Sequence, residues 1–171
     1  MSEPRILIAG IGNIFLGDDA FGSEVARRLL TRQLPKEVRV VDFGIRGLDL
    51  VYALLDGYDA TIFVDATLRG GEIGTLYVIE PEMGEFDNLN ENNTAVEPHG
   101  MNPMKVLAMV KSMGGDFKRI LLVGCEPEPL DADEEKMELS ETVAKAVDEA
   151  VNLIESLIAK ILNESQSSAT I

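Results

Sequence analysis

Two adjacent carboxylates, Asp18 and Asp19, stand just beyond a short apolar run and a glycine-rich turn in the segment RILIAGIGNIFLGDDAFG, residues 5–22. An apolar strand that feeds Gly10, Gly12 and a helix start is the outline of a dinucleotide-binding unit, whose third glycine would fall at position 15. Position 15 is Phe. Two acids at the helix start would also repel a pyrophosphate from the backbone N–H groups it needs. The chemistry that such a turn favours is that of a cation.

A third acid, Asp65, closes the apolar run ATIFVD at residues 60–65. In an open α/β sheet, ligands sit beyond the carboxyl ends of the strands, where the strand order reverses. If the first strand lies between the second and the third, the turns after Ala9 and Val64 border that crevice. Asp18, Asp19 and Asp65 then converge on one mouth. Carboxylates held close in a partly dry cleft repel one another, and one takes up a proton unless a positive group lies between them. His99 is the only histidine in 171 residues. It sits between Pro98 and Gly100 in a long polar loop, residues 80–100, of a length that is more often functional than idle. An imidazole with two carboxylates suits a borderline divalent ion such as Ni, Zn or Fe better than Mg or Ca. Asp18 is suited to the N-cap of the following helix, which leaves Asp19 to face the crevice.

Other chemistries are poorly supplied. Asp42 ends the second strand, where a ribose-binding acid would stand, but the acidic turn argues against a nucleotide. Cys125 follows a buried strand with no histidine near it in sequence, so it is not read as a nucleophile. No G-x-S-x-G or H-E-x-x-H motif occurs.

The elements that must position these groups alternate between apolar blocks and helical patterns, which indicates an α/β layer fold. Residues 5–9 form a first strand buried on both faces, because Ile6-Leu7-Ile8-Ala9 does not alternate. Phe21, Val25 and Leu29 mark a helix that runs to about Gln33. Strands follow at residues 38–41 and 60–65, with a short helix carrying Leu48, Val51 and Leu55 between them. Residues 75–79 are reached through a link too short for a crossover, which makes that strand antiparallel. Asn102-Pro103 opens a helix through Leu107 and Val110. A fifth strand lies at residues 119–124. The stripe Val143, Val147, Val151, Ile154, Ile158, Ile161 marks a long core helix from near Ser140. One domain is expected over residues 1–163, with a frayed polar tail over 164–171.

Thirty acids against fifteen bases give a net charge of −15. That charge repels nucleic acid and anionic lipid surfaces. Six acids and no base lie in residues 80–98, and seven acids with one lysine in 126–138; both are read as solvated segments. Residues 1–4 carry no basic leader, and no apolar run approaches the ~20 residues that span a bilayer. A soluble cytoplasmic protein without a membrane partner is expected.

These motifs together resemble the endopeptidases that mature the large subunit of nickel-iron hydrogenases. The resemblance covers nearly the whole chain: GIGNIFLGDDAFG at 10–22, DFGIRGLDL at 42–50, FVDA at 63–66, EPHGMNP at 97–103 and VGCEPE at 123–128. The first motif is highly specific, and the others occur in the family's order. The resemblance implies a three-layer α/β/α sandwich around a five-stranded, mostly parallel sheet with one antiparallel strand. It also implies a site of Asp19, Asp65 and His99, both catalytic and metal-engaging, and removal of a C-terminal extension from the hydrogenase large-subunit precursor once nickel is inserted. The nickel would come with the substrate, no metal would be held tightly at rest, and the enzyme would be a monomer. Ile45 stands where family members often carry Thr, and some members have Glu in place of Asp19. A non-catalytic nickel-binding accessory module would use the same three ligands and remains the alternative at this point.

Overall fold

The structure, a computed structural model, describes residues 3–82, 102–129 and 138–169. Strand β1, Ile6–Ile11, is buried along its whole length. An uninterrupted apolar strand of this kind belongs in the middle of a sheet covered on both faces. It pairs in parallel with β2, Val38–Gly44, on one side and with β3, Ala60–Ala66, on the other. Strand β5, Arg119–Cys125, runs parallel to β3, and β4, Leu76–Ile79, pairs antiparallel with β5 at the edge. The order is β2-β1-β3-β5-β4. The first strand therefore lies between the second and third, which meets the condition for the three acids to converge, and the fourth is antiparallel, as the sequence indicates.

Helices α1, Phe21–Leu29, and α4, Glu141–Ala169, pack together on one face of the sheet. Helices α2, Gly47–Leu55, and α3, Pro103–Ser112, pack together on the other. Alternation along β1 divides the two cores: Ile6 and Ile8 join the α1/α4 core, whereas Leu7, Ala9 and Ile11 join the α2/α3 core. The α4 stripe from Val143 to Ile161 is buried. The result is the α/β/α sandwich with a five-stranded, mostly parallel sheet.

Two helix ends differ from expectation. Helix α1 stops at Leu29, short of Gln33, because the chain turns there through Thr31 N to Arg28 O at 3.2 Å and Thr31 Oγ1 to the same oxygen at 2.7 Å. A hydroxyl that bonds its own backbone competes with continuation of the helix. Helix α4 instead continues through Ala169, beyond the Asn163 limit set for the domain. Glu164 Oε2 there accepts from Arg119 Nη1 at 2.6 Å, and Glu80 accepts from the same guanidinium at 2.5 Å. This exposed ion network ties the helix to the start of β5.

Candidate active site

Backbone packing places the first motif. A Cβ at Gly22 would collide with the carbonyl oxygens of Val64 and Ile11, and one at Gly12 with the carbonyl oxygen of Asp19. Only glycine lets the start of α1 rest directly on the ends of β1 and β3. Between them a single 3-10 turn, Gly17–Ala20, carries both acids. Asn13 Oδ1 accepts from Phe15 N at 2.9 Å, and Asp19 Oδ2 accepts from Asn13 N at 3.0 Å, so the turn is laced by its own side chains.

Asp18 is not the N-cap of α1. The inserted turn moves the cap to Ala20, which offers no side-chain bond. Asp18 is instead buried, at 4% exposure, and accepts from three donors across the fold: Glu128 N at 2.8 Å, Ser140 N at 2.6 Å and Ser140 Oγ at 2.8 Å. It fastens the segment after β5 and the start of α4 to the turn that carries Asp19. Asp65 is brought to the same place by β3, where it stands opposite Gly124 of β5 in the register.

Asp18, Asp19 and Asp65 line one cavity of about 790 Å³ at the carboxyl ends of β1 and β3. Its remaining walls are largely apolar, with Leu68, Ile79, Met104, Leu107, Leu122 and Pro127 among them. This is the usual make-up of a ligand cleft, apolar with a few convergent polar groups. The N-terminus of α3 also borders it: Asn102 Oδ1 accepts from Met104 N at 2.9 Å, the predicted cap, and Asn102 and Pro103 both face the cavity. His99 lies outside the described residues. Among the described residues, no group of three or more His, Cys, Asp or Glu is arranged to hold a metal ion.

The other candidates lie elsewhere. Asp42 borders a separate hollow of about 310 Å³ beside Gly12 and Arg46, where its carboxylate pairs with Arg27 Nε at 3.4 Å and accepts from Gly44 N at 3.1 Å. It is occupied in closing its own turn. Cys125 is buried, and burial, with Asp18 and Glu126 nearby, pushes its thiol up to about 12. A thiol so protonated at neutral pH is no nucleophile.

Glu126 is the residue that the sequence did not single out. It is 2% exposed and lies beneath the β3–β4 connection, accepting from Arg69 N at 2.9 Å, Gly71 N at 2.5 Å and Tyr77 OH at 3.2 Å. Burial alone would raise its pKa, but the N–H groups of Arg69 and Gly71 outweigh it and hold the carboxyl below its usual range. The signal was present as an acid directly after an apolar strand, together with Gly70-Gly71, whose successive amides form a natural anion cradle.

A family model described as hydrogenase maturation protease matches residues 23–157. The chain belongs to the hydrogenase maturation protease family. It is accordingly a hydrolase of peptide bonds, an endopeptidase of hydrogenase maturation. It is 31% identical over 152 residues to the hydrogenase 2 maturation protease of Escherichia coli, covering 88% of each chain. The fold is similar to that of the E. coli hydrogenase maturating endopeptidase HybD, with a TM-score of 0.75, 28% identity and coverage of 91% of this chain and 93% of that one. It is also similar to the [NiFe] hydrogenase maturation protease HycI of Thermococcus kodakarensis, with a TM-score of 0.69, 31% identity and coverage of 92% and 94%. Among the described residues of this maturation protease, no helix is long and apolar enough to cross a membrane.

Proposed function

We propose that this maturation protease removes the C-terminal extension of a nickel-iron hydrogenase large-subunit precursor, and does so after nickel insertion, by engaging the inserted nickel with Asp19, Asp65 and His99. The observation that carries this reading is the meeting of Asp19 and Asp65, from separate strand ends, on one cavity whose further wall is the start of α3. His99 precedes Asn102, the cap of that helix, by three positions. Two carboxylates and an imidazole are a donor set that suits a borderline divalent ion.

The nickel arrives as part of the substrate and supplies positive charge beside the scissile carbonyl. The enzyme's own groups seat that cargo and so fix the scissile bond in the cleft. One carboxylate takes the proton of the attacking water as general base. The water oxygen bonds to the carbonyl carbon, the C–N bond breaks, and the proton passes to the departing amine. No metal is held tightly at rest, the enzyme acts as a monomer, and it works in the cytoplasm.

The decisive test is a mass spectrum of nickel-loaded and nickel-free precursor after incubation with the enzyme. Loss of a C-terminal fragment from the loaded form alone is expected. An unchanged mass with nickel in place would favour a non-cutting nickel-binding module instead. Elemental analysis of protein purified without added metal should find no stoichiometric ion, and one zinc per chain would count against a metal-free resting site. His99→Ala should abolish cleavage and leave the melting temperature unchanged.

A further inference from the structure

Leu68 is the most exposed large apolar side chain of the described residues, at 74%, and it lines the cleft beside Asp65 and Thr67. Isolated exposed leucines are ordinary on a protein surface. This one differs in the backbone beneath it. Thr67 N donates to Cys125 O at 2.9 Å on one side of Leu68, and Arg69 N and Gly71 N donate to the Glu126 carboxylate on the other. A Cβ at Gly71 would collide with Tyr77 Oη, so the loop lies directly on the side chain that completes the cradle. Gly74 N to Glu126 O at 2.8 Å and Glu126 N to Thr75 O at 2.9 Å close the same connection from its far end. A short surface loop is thus fixed at its start by the Cys125 carbonyl and through its middle and far end by one buried acid, Glu126. Order of this kind around an exposed apolar side chain lowers the entropy lost when a partner covers it.

We propose that Glu126 is a positioning residue that holds residues 67–71 so that Leu68 stands as a preformed apolar contact for the precursor's polypeptide at the cleft mouth. The occupant follows from the established activity: an endopeptidase must seat chain on both sides of the bond it cuts, and Leu68 is continuous with the cavity that Asp19 and Asp65 line. The identity of that chain as the hydrogenase precursor rests on the reading above. Leu68 acts in binding and Glu126 acts through it, so neither takes part in bond breaking.

Steady-state cleavage of nickel-loaded precursor by the full-length enzyme tests this. Leu68→Ala should raise KM by about tenfold, the worth of covering one leucine side chain, with kcat and melting temperature unchanged. Leu68→Met should restore most of the affinity. Glu126→Ala should reproduce the KM rise and speed hydrogen exchange at the Arg69 and Gly71 amides; should it fail to fold, Glu126→Gln, which keeps one acceptor, should give a smaller change of the same kind. Wild-type KM in Leu68→Ala overturns the inference, as does fast exchange at residues 69–71 without any change in KM. A precursor cut equally by wild type and Leu68→Ala overturns this inference alone, whereas a loaded precursor left uncut by the wild-type enzyme overturns the substrate assignment as well.

Discussion

Replacing Asp18 by Ala removes one carboxylate and strands three donors at once, the amides of Glu128 and Ser140 and the Ser140 hydroxyl. Hydrogen bonds to a charged group contribute roughly 1.5–3 kcal/mol each. Glu128 and Ser140 are only half-buried, so water partly replaces the lost acceptor, and a loss of about 3 kcal/mol in total is expected. For a chain of 171 residues, each kcal/mol moves the melting temperature by roughly 2–4 °C. Calorimetry should therefore find Asp18→Ala melting about 9 °C below wild type. Asp18→Asn keeps one oxygen but turns an NH2 group towards one set of donors, and should fall by roughly half as much. Glu24→Ala, which removes only the exposed pair with Arg27, should stay within about 0.5 kcal/mol of wild type. An Asp18→Ala protein that melts within a degree of wild type would show that the carboxylate does not fasten the two segments, and the account of how Asp19 is placed would fail with it.

Cys125, held protonated to about 12 against an ordinary 9.0, should react with iodoacetamide at pH 8 only after the protein is unfolded. Because the unfolded thiol ionises first, stability should fall as pH rises above 9; fast alkylation of the native protein would refute the burial argument. On the acid side, the Arg5 backbone N–H holds Asp59 below its usual range, and the Arg119 guanidinium does the same for Glu80. Glu126 is held low as well, against its burial, by the Arg69 and Gly71 amides. A carboxylate with a lowered folded pKa stabilises fully above its unfolded value and ceases to do so as pH falls through the folded one. Urea midpoints should accordingly drop as pH falls below about 4. Asp59→Asn should flatten that dependence, and an unchanged profile would remove Asp59 from the account.

What the sequence disclosed and what it withheld divide along the range of the interactions. β1 was legible because four apolar residues in a row admit one environment, and α4 because its stripe repeats over five turns. The antiparallel β4 followed from the length of the link before it. The carboxylate pair falls on one cleft only if β1 lies between β2 and β3, a condition that the sequence reading set and the strand order meets. Asp18 was misread because a cap is a local signal, while its actual partners lie 110 and 122 positions away. An acid directly after an apolar strand and the Gly70-Gly71 pair were each visible, but nothing in the sequence joined Glu126 to the amides of Arg69 and Gly71, more than fifty positions earlier. The end of α4 was placed too early because a polar stretch was expected to unwind, whereas Glu164 is secured by a guanidinium on a distant strand.

Gly22 has one consequence beyond stability. Because main chain meets main chain there, with no rotatable group between the start of α1 and the oxygens of Ile11 and Val64, the spacing of Asp19 from Asp65 is set by two rigid pieces locked face to face. Repacking of the core cannot tune that main-chain spacing. On the proposal that Asp19 and Asp65 seat the precursor's nickel, an ion of unsuitable radius would have to be met by the two side chains themselves or from the α3 side of the cleft.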